Sequence, residues 1–144
     1  MQLHPNQPQR ASFYSAQSLT AGFIGLDFEH DVGDMQRVTQ RSLPPQQRDY
    51  WAFAHNMSIG DRVLIISHHF PFALATVAGD YNYVREPVPE LGVLFRHFRR
   101  VEDVRYYSDF FTNAAAWQQF KMTDTISPLH DSASASYKLI ESWL

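Results

Sequence analysis

The sequence predicts an α+β domain built on a small, curved, mainly antiparallel β-sheet or open barrel flanked by helices. Three observations predict it. Two apolar, β-branched runs, Arg62–Ser67 and Phe72–Ala78, sit between the turn dipeptides Gly60-Asp61 and Gly79-Asp80 with a short connection between them, the pattern of a hairpin. A third stretch, Val93 to Val104, alternates: Phe95, His97 and Arg99 fall on one face and Leu94, Arg96, Phe98 and Arg100 on the other, as in a strand with one exposed side. Helical spacing interrupts these strands rather than alternating with them one for one, which favours α+β.

In chain order, Met1 to Arg10 is rich in Gln, Asn and Pro without periodicity. Residues 1–12 are therefore expected to form a flexible leader and residues 13–144 a single domain. Phe13 to Thr20 shows no decisive period. Phe23 to Phe28 reads as a strand and EHDVGD after it as a polar turn able to reach a ligand. Met35 to Arg41 is expected to be a short helix stopped by Pro44-Pro45. Tyr50, Phe53, Ala54 and Met57 recur at i, i+3, i+4 and i+7, predicting a helix over 45–56. Asn82 to Gly92, with Pro87, Pro89 and Gly92, reads as a loop. A helix is expected within Asp109 to Met122, burying Trp117 and Phe120, then a short extended piece from Thr123 to Pro128. The tail from Ala133 to Leu144 is amphipathic, with Tyr137, Ile140 and Leu144 on one face. There is no internal repeat and no domain boundary.

A chain of 144 residues is long enough to bury a core without metals or disulfides. The absence of cysteine excludes disulfide frameworks, thiolate zinc sites and Cys nucleophiles, and fits a reducing compartment. No apolar run approaches the roughly 18 residues of a membrane span, so the expectation is a soluble cytoplasmic protein with no membrane partner. The net charge of -3 argues against general coating of nucleic acid. Yet of the 12 basic residues only Lys121 and Lys138 are lysines, and the arginines cluster as Arg37, Arg41 and Arg48 and as Arg96, Arg99, Arg100 and Arg105. Arginine is the side chain suited to bidentate phosphate contacts and stacking, although a solvated surface accounts for either cluster equally well.

His68-His69-Phe70-Pro71, between the two central runs, combines flat rings with hydrogen-bonding groups on a loop held by strands, and is a candidate ligand site. His68 and His69 with Asp27, Asp31 or Asp34 lack HxH or HExxH spacing, and neighbouring strand residues point to opposite faces. A GxSxG elbow, a Walker A loop and a Gly-rich dinucleotide loop are also absent. Asp31 and Asp34 could act as acid and base, but a polar turn explains them as well. The reading is therefore of a non-enzymatic domain with no catalytic residue, metal or cofactor.

The segments FIGLDFEHDVGDM, YWAFAHNMSIGDRVLII, PFALATVAGDYNYV, FRHFRRVEDV and TISPL, in that order, resemble the PUA-like superfamily in its EVE and YTH branch. The chain is similar to the N-terminal modules of McrB-type modification-dependent restriction systems. The resemblance spans about Gly22 to Leu144 and rests on the order of short motifs. It implies a PUA-like barrel that recognises double-stranded DNA carrying a methylated base, flips that base into an aromatic pocket, and targets a nuclease or ATPase on another subunit or segment. Extruding a base costs a few kcal/mol and stacking on aromatic rings returns about 1 to 3 kcal/mol per base.

On that resemblance the base is held by Asp27 and Phe28 at the end of the first strand, Trp51 on the helix, His68, His69 and Phe70 between the central strands, and Tyr81 and Tyr83 after them. Phosphates fall to Arg37, Arg41, Arg96, Arg99 and Arg100. YTH-type readers carry a Trp in the loop after the central strands; Asn82 to Gly92 holds none, leaving Tyr83 or Phe70 for that wall. Two other readings remain open: a PUA-like RNA-binding domain, and a domain that binds a small molecule or a protein partner through its aromatic residues.

Overall fold

The structure, a computed structural model, describes residues 1–3, 8–27, 30–67, 69–107, 120 and 125–143. Its elements are α1 (Ala11–Ala21), β1 (Phe23–Leu26), α2 (Arg48–Trp51, continued by a π-helical turn over Ala52–Asn56), β2 (Arg62–Ser67), β3 (Phe70–Val77), β4 (Asn82–Tyr83), β5 (His97–Tyr106) and α3 (Ala135–Trp143). The protein is α+β. The strands form one antiparallel sheet in the order β1-β5-β3-β2, curled into a half-barrel, with β4 also paired to β5.

Strand β5 carries the sheet. Along one edge it pairs with β1, from Phe23↔Arg100 to Leu26↔His97. Along the other it pairs with β3 from Tyr106 to Val101, and then with β4 at His97 and Phe98. His97 thus has Leu26 on one side and Tyr83 on the other. The register slips between Leu74 and Thr76, where Asp103 adopts φ 50. Such a bulge bends a strand and increases its twist, which helps to curl the sheet.

The main core lies inside the curl, where Ile24, Leu26, Val63, Ile65, Ala73, Ala75 and Val77 meet Leu19 of α1 and Tyr50 and Phe53 of α2. The alternate β2 residues, Leu64 and Ile66, face outward into a second cluster with Leu139, Ile140 and Trp143 of α3. Because β2 is covered on both faces, its sequence is a continuous apolar run rather than an alternating one. The buried side of α1 is Ala11, Ser15, Ser18 and Leu19. Two serines on that face hide its periodicity; the Ser18 hydroxyl donates to Phe23 O.

Several expectations change. Met1 and Leu3, within the stretch read as a leader, are buried, and Met1 lies along the outer edge of β2, with N to Leu64 O and Ile66 N–H to Met1 O both 2.8 Å. Met35 to Arg41 holds a turn and a 3-10 segment rather than a helix, because the Asp34 carboxylate takes the Gln36 N–H and closes the chain locally. The helix expected within Asp109–Met122 lies outside the described residues apart from Phe120, which is buried. No helix among the described residues is long and apolar enough to cross a membrane.

Gly25 lets β1 lie against the start of β5. A Cβ at this position would stand 2.5 Å from both His97 O and Phe95 Cβ. Gly25→Ala is expected to lower stability by about 2 kcal/mol or more in urea unfolding, since backbone must move to admit one methyl.

Candidate functional site

One end of the curled sheet gathers aromatic and titratable side chains from four separate segments. The chain leaves β1 at Asp27, and the loop that follows turns back on itself through two local hydrogen bonds, Gly33 N–H to Asp31 Oδ1 and Gln36 N–H to Asp34 Oδ1, both 2.9 Å. Buried Met35 fixes the far end of this loop. Its N–H donates to the Tyr81 hydroxyl at 3.1 Å and its carbonyl lies 3.0 Å from His55 Nε2. His55 in turn stacks on Trp51, with ring centroids 3.8 Å apart.

His97 sits at the centre of the group. It is 0% exposed, and its ring lies 4.2 Å from Tyr50, 5.1 Å from Tyr83 and 5.9 Å from Tyr81, centroid to centroid. Its Nδ1 is 2.7 Å from the Tyr81 hydroxyl. On the outer side the Tyr83 hydroxyl donates to Asp31 Oδ2 at 2.5 Å. Beside it Arg96 donates to Asp27 Oδ1 at 2.6 Å and to Arg85 O at 3.2 Å.

Burial dominates the electrostatics. It lowers His97 from 6.5 to about 4, against the pull of Asp31 and Asp34. It raises Asp27 above its ordinary value despite the Arg96 guanidinium beside it. Asp31 goes the other way: burial pushes it up, but the Tyr83 hydroxyl and the Gly33 N–H hold it below the usual range. Tyr83, partly desolvated and bonded to that carboxylate, rises to about 12, and burial raises Tyr81 as well. At neutral pH His97 and both tyrosines are therefore uncharged.

The structure brings together some of the residues read from sequence and separates others. Asp27, Tyr81 and Tyr83 meet around His97, and Trp51 joins them through His55 and Met35. Phe28 and His68 lie outside the described residues. His69 and Phe70 belong elsewhere. Ser67 pairs directly with Phe70, and His69 between them has φ 66. The eight residues of β3, about 25 Å of strand, separate Phe70 from the segment that leads to Tyr81.

The arginines divide in the same way. Arg37, Arg41 and Arg100 are exposed. Arg96 is engaged by Asp27. Arg99, expected at the phosphates, is 3% exposed: it donates to Phe53 O, Ala54 O and Met57 O at 2.9 Å and to Gly79 O at 3.0 Å. It caps the carbonyl end of α2 and is a structural residue.

His97 and Asp31 are the functional candidates that sequence reasoning did not assign. The alternation of Phe95, His97 and Arg99 places His97 on the inner face, but nothing in it distinguishes a site residue from a core one. A separate cleft of about 550 Å³ opens beside β2, bordered by Met57, Arg62, Leu64, Pro128, Tyr137 and Ile140. None of the expected site residues lines it, and its charged groups Asp61, Arg62 and Glu141 are exposed. The His97 cluster is the stronger candidate, because its polar atoms converge in a desolvated setting. Comparisons of the chain with family models, with curated proteins and with solved structures give no match.

Two outcomes are expected. Arg99→Lys, which cannot span four carbonyls, should cost about 3 kcal/mol in urea unfolding, as a buried carbonyl left without a donor costs about 1 to 3 kcal/mol. For His97, the unfolded chain binds a proton below about 6.5 and the folded one only near 4, so stability should fall as pH drops through that window, by up to about 3 kcal/mol. His97→Phe should remove that part of the pH dependence. An identical slope in both proteins between pH 7 and 4 would show that His97 is not buried and neutral.

Proposed function

We propose that this is a modified-DNA recognition module of the PUA-like type, in its EVE and YTH branch, which holds a flipped, methylated base at the His97 cluster. The observation that supports this reading is the convergence of Asp27, Trp51, Tyr81 and Tyr83 from distant parts of the sequence onto one end of a curled sheet. Planar rings with a few hydrogen-bonding groups, set in a desolvated place, are the materials for holding a base. The module itself is non-enzymatic and cytoplasmic, and uses no metal or cofactor. It directs a nuclease or ATPase carried on another segment or subunit.

In this reading Tyr83 and Trp51 supply stacking surface and Asp27 or a backbone amide reads the base edge. The exposed Arg37, Arg41 and Arg100 hold phosphates. Arg96 acts indirectly, by keeping the Asp27 carboxylate in place. Few free cations mean that affinity for unmodified duplex is weak, which suits a reader that must ignore most DNA.

The test is a titration of one duplex in four forms: unmodified, or carrying N6-methyladenine, 5-methylcytosine or N4-methylcytosine. One methylated form is expected to bind most tightly, and Trp51→Ala to weaken that form about ten- to hundredfold, the worth of one stacked base. Equal affinity for all four forms overturns the reading. Preference for RNA over every duplex transfers the same site to the RNA-binding alternative.

A further inference from the structure

We infer that the Nε2–H of His97 is the donor that reads the ligand, and that the Tyr83–Asp31 pair is the gate through which a neutral, planar heteroaromatic ring bearing an acceptor atom reaches it. The inference rests on the nucleobase reading above and assigns the residue that recognises the ring.

We assign the tautomer from the hydrogen-bond pattern. The Tyr81 oxygen accepts the Met35 N–H at 3.1 Å, so its own proton is available to His97 Nδ1, 2.7 Å away. An imidazole that accepts at Nδ1 and is neutral carries its hydrogen on Nε2. That atom is buried and has no hydrogen-bond partner. A buried donor without an acceptor is costly, and a bound acceptor removes the cost.

The surroundings indicate the route and the ligand. Tyr50 and Tyr81 are core residues. Tyr83 is half-buried, on a strand of two residues, and its outer end is held by the exposed Asp31. Of the three rings around His97 it is the one that can swing aside. An anion is unsuited to the surroundings of His97, since Arg96 is committed to Asp27 and Arg99 to carbonyls. A neutral ring with a carbonyl oxygen or ring nitrogen on its edge stacks on the displaced Tyr83 ring and accepts from Nε2, as a nucleobase can.

The same four duplexes, titrated against wild type, His97→Phe and Tyr83→Phe, test this together with the ¹⁵N spectrum of the wild-type His97 ring. His97→Phe keeps the ring but not the donor, and should lose about tenfold of the preference for the methylated form while retaining the weak, salt-dependent binding of unmodified duplex. Tyr83→Phe releases the latch and should associate several-fold faster. The free wild-type spectrum should show the Nε2–H tautomer, and its proton resonance should move on saturation with the preferred duplex. Methyl preference that survives in His97→Phe, or an Nε2–H resonance unmoved by a bound methylated duplex, overturns the inference and leaves the reader reading intact. Equal affinity of wild type for all four duplexes overturns both.

Discussion

The guanidinium of Arg99 joins three parts of the molecule: β5, the end of α2 and the turn after β3. It projects from the inner face of β5, takes Phe53, Ala54 and Met57 carbonyls from the end of the α2 helix, and takes Gly79 O from the turn after β3. The π-helical turn at Ala52–Asn56 leaves carbonyls without intrahelical donors, and the negative end of a helix favours a cation there. Five N–H groups in a fixed fork match four carbonyls without requiring a buried carboxylate. Holding α2 at this angle puts Tyr50 against His97 two residues earlier on β5. The position of the site is therefore a consequence of a structural arginine.

The site itself is kept neutral inside and charged at its edge. His97 and Tyr81 share a hydrogen bond in a place where burial disfavours the charged form of either. Asp27 and Asp31 stand outside them, Asp27 tied to Arg96 and Asp31 to Tyr83 and the Gly33 N–H. Two of the arginines expected at phosphates, Arg96 and Arg99, are consumed in building this arrangement, and Arg37, Arg41 and Arg100 are exposed.

Much of the fold is legible in the residues. The run Arg62–Ser67 is β2 to the residue, and Phe72 to Ala78 begins two residues inside β3 and ends one residue past it. Tyr50 and Phe53 at helical spacing are both buried. Other features were not legible for physical reasons. Helix α1 buries two serines, which a pattern of apolar residues does not register. The short connection His68–Pro71 looked like a ligand loop because its composition is right, but composition does not reveal that Ser67 pairs with Phe70. Arg99 was grouped with its neighbours as a surface cation because strand alternation assigns faces without saying which face has carbonyls to offer.

The sequence by itself determined the class: an antiparallel sheet with helices around it and a core rich in aromatic residues. Those properties follow from local periodicity and composition, which each segment carries alone. Only the tertiary structure decided which of those rings meet. His97 acquires its three tyrosine neighbours from segments up to 47 positions away, and the candidate site passed from the hairpin turn to the far end of the sheet. Register and burial create these relations between segments, and no single segment encodes them.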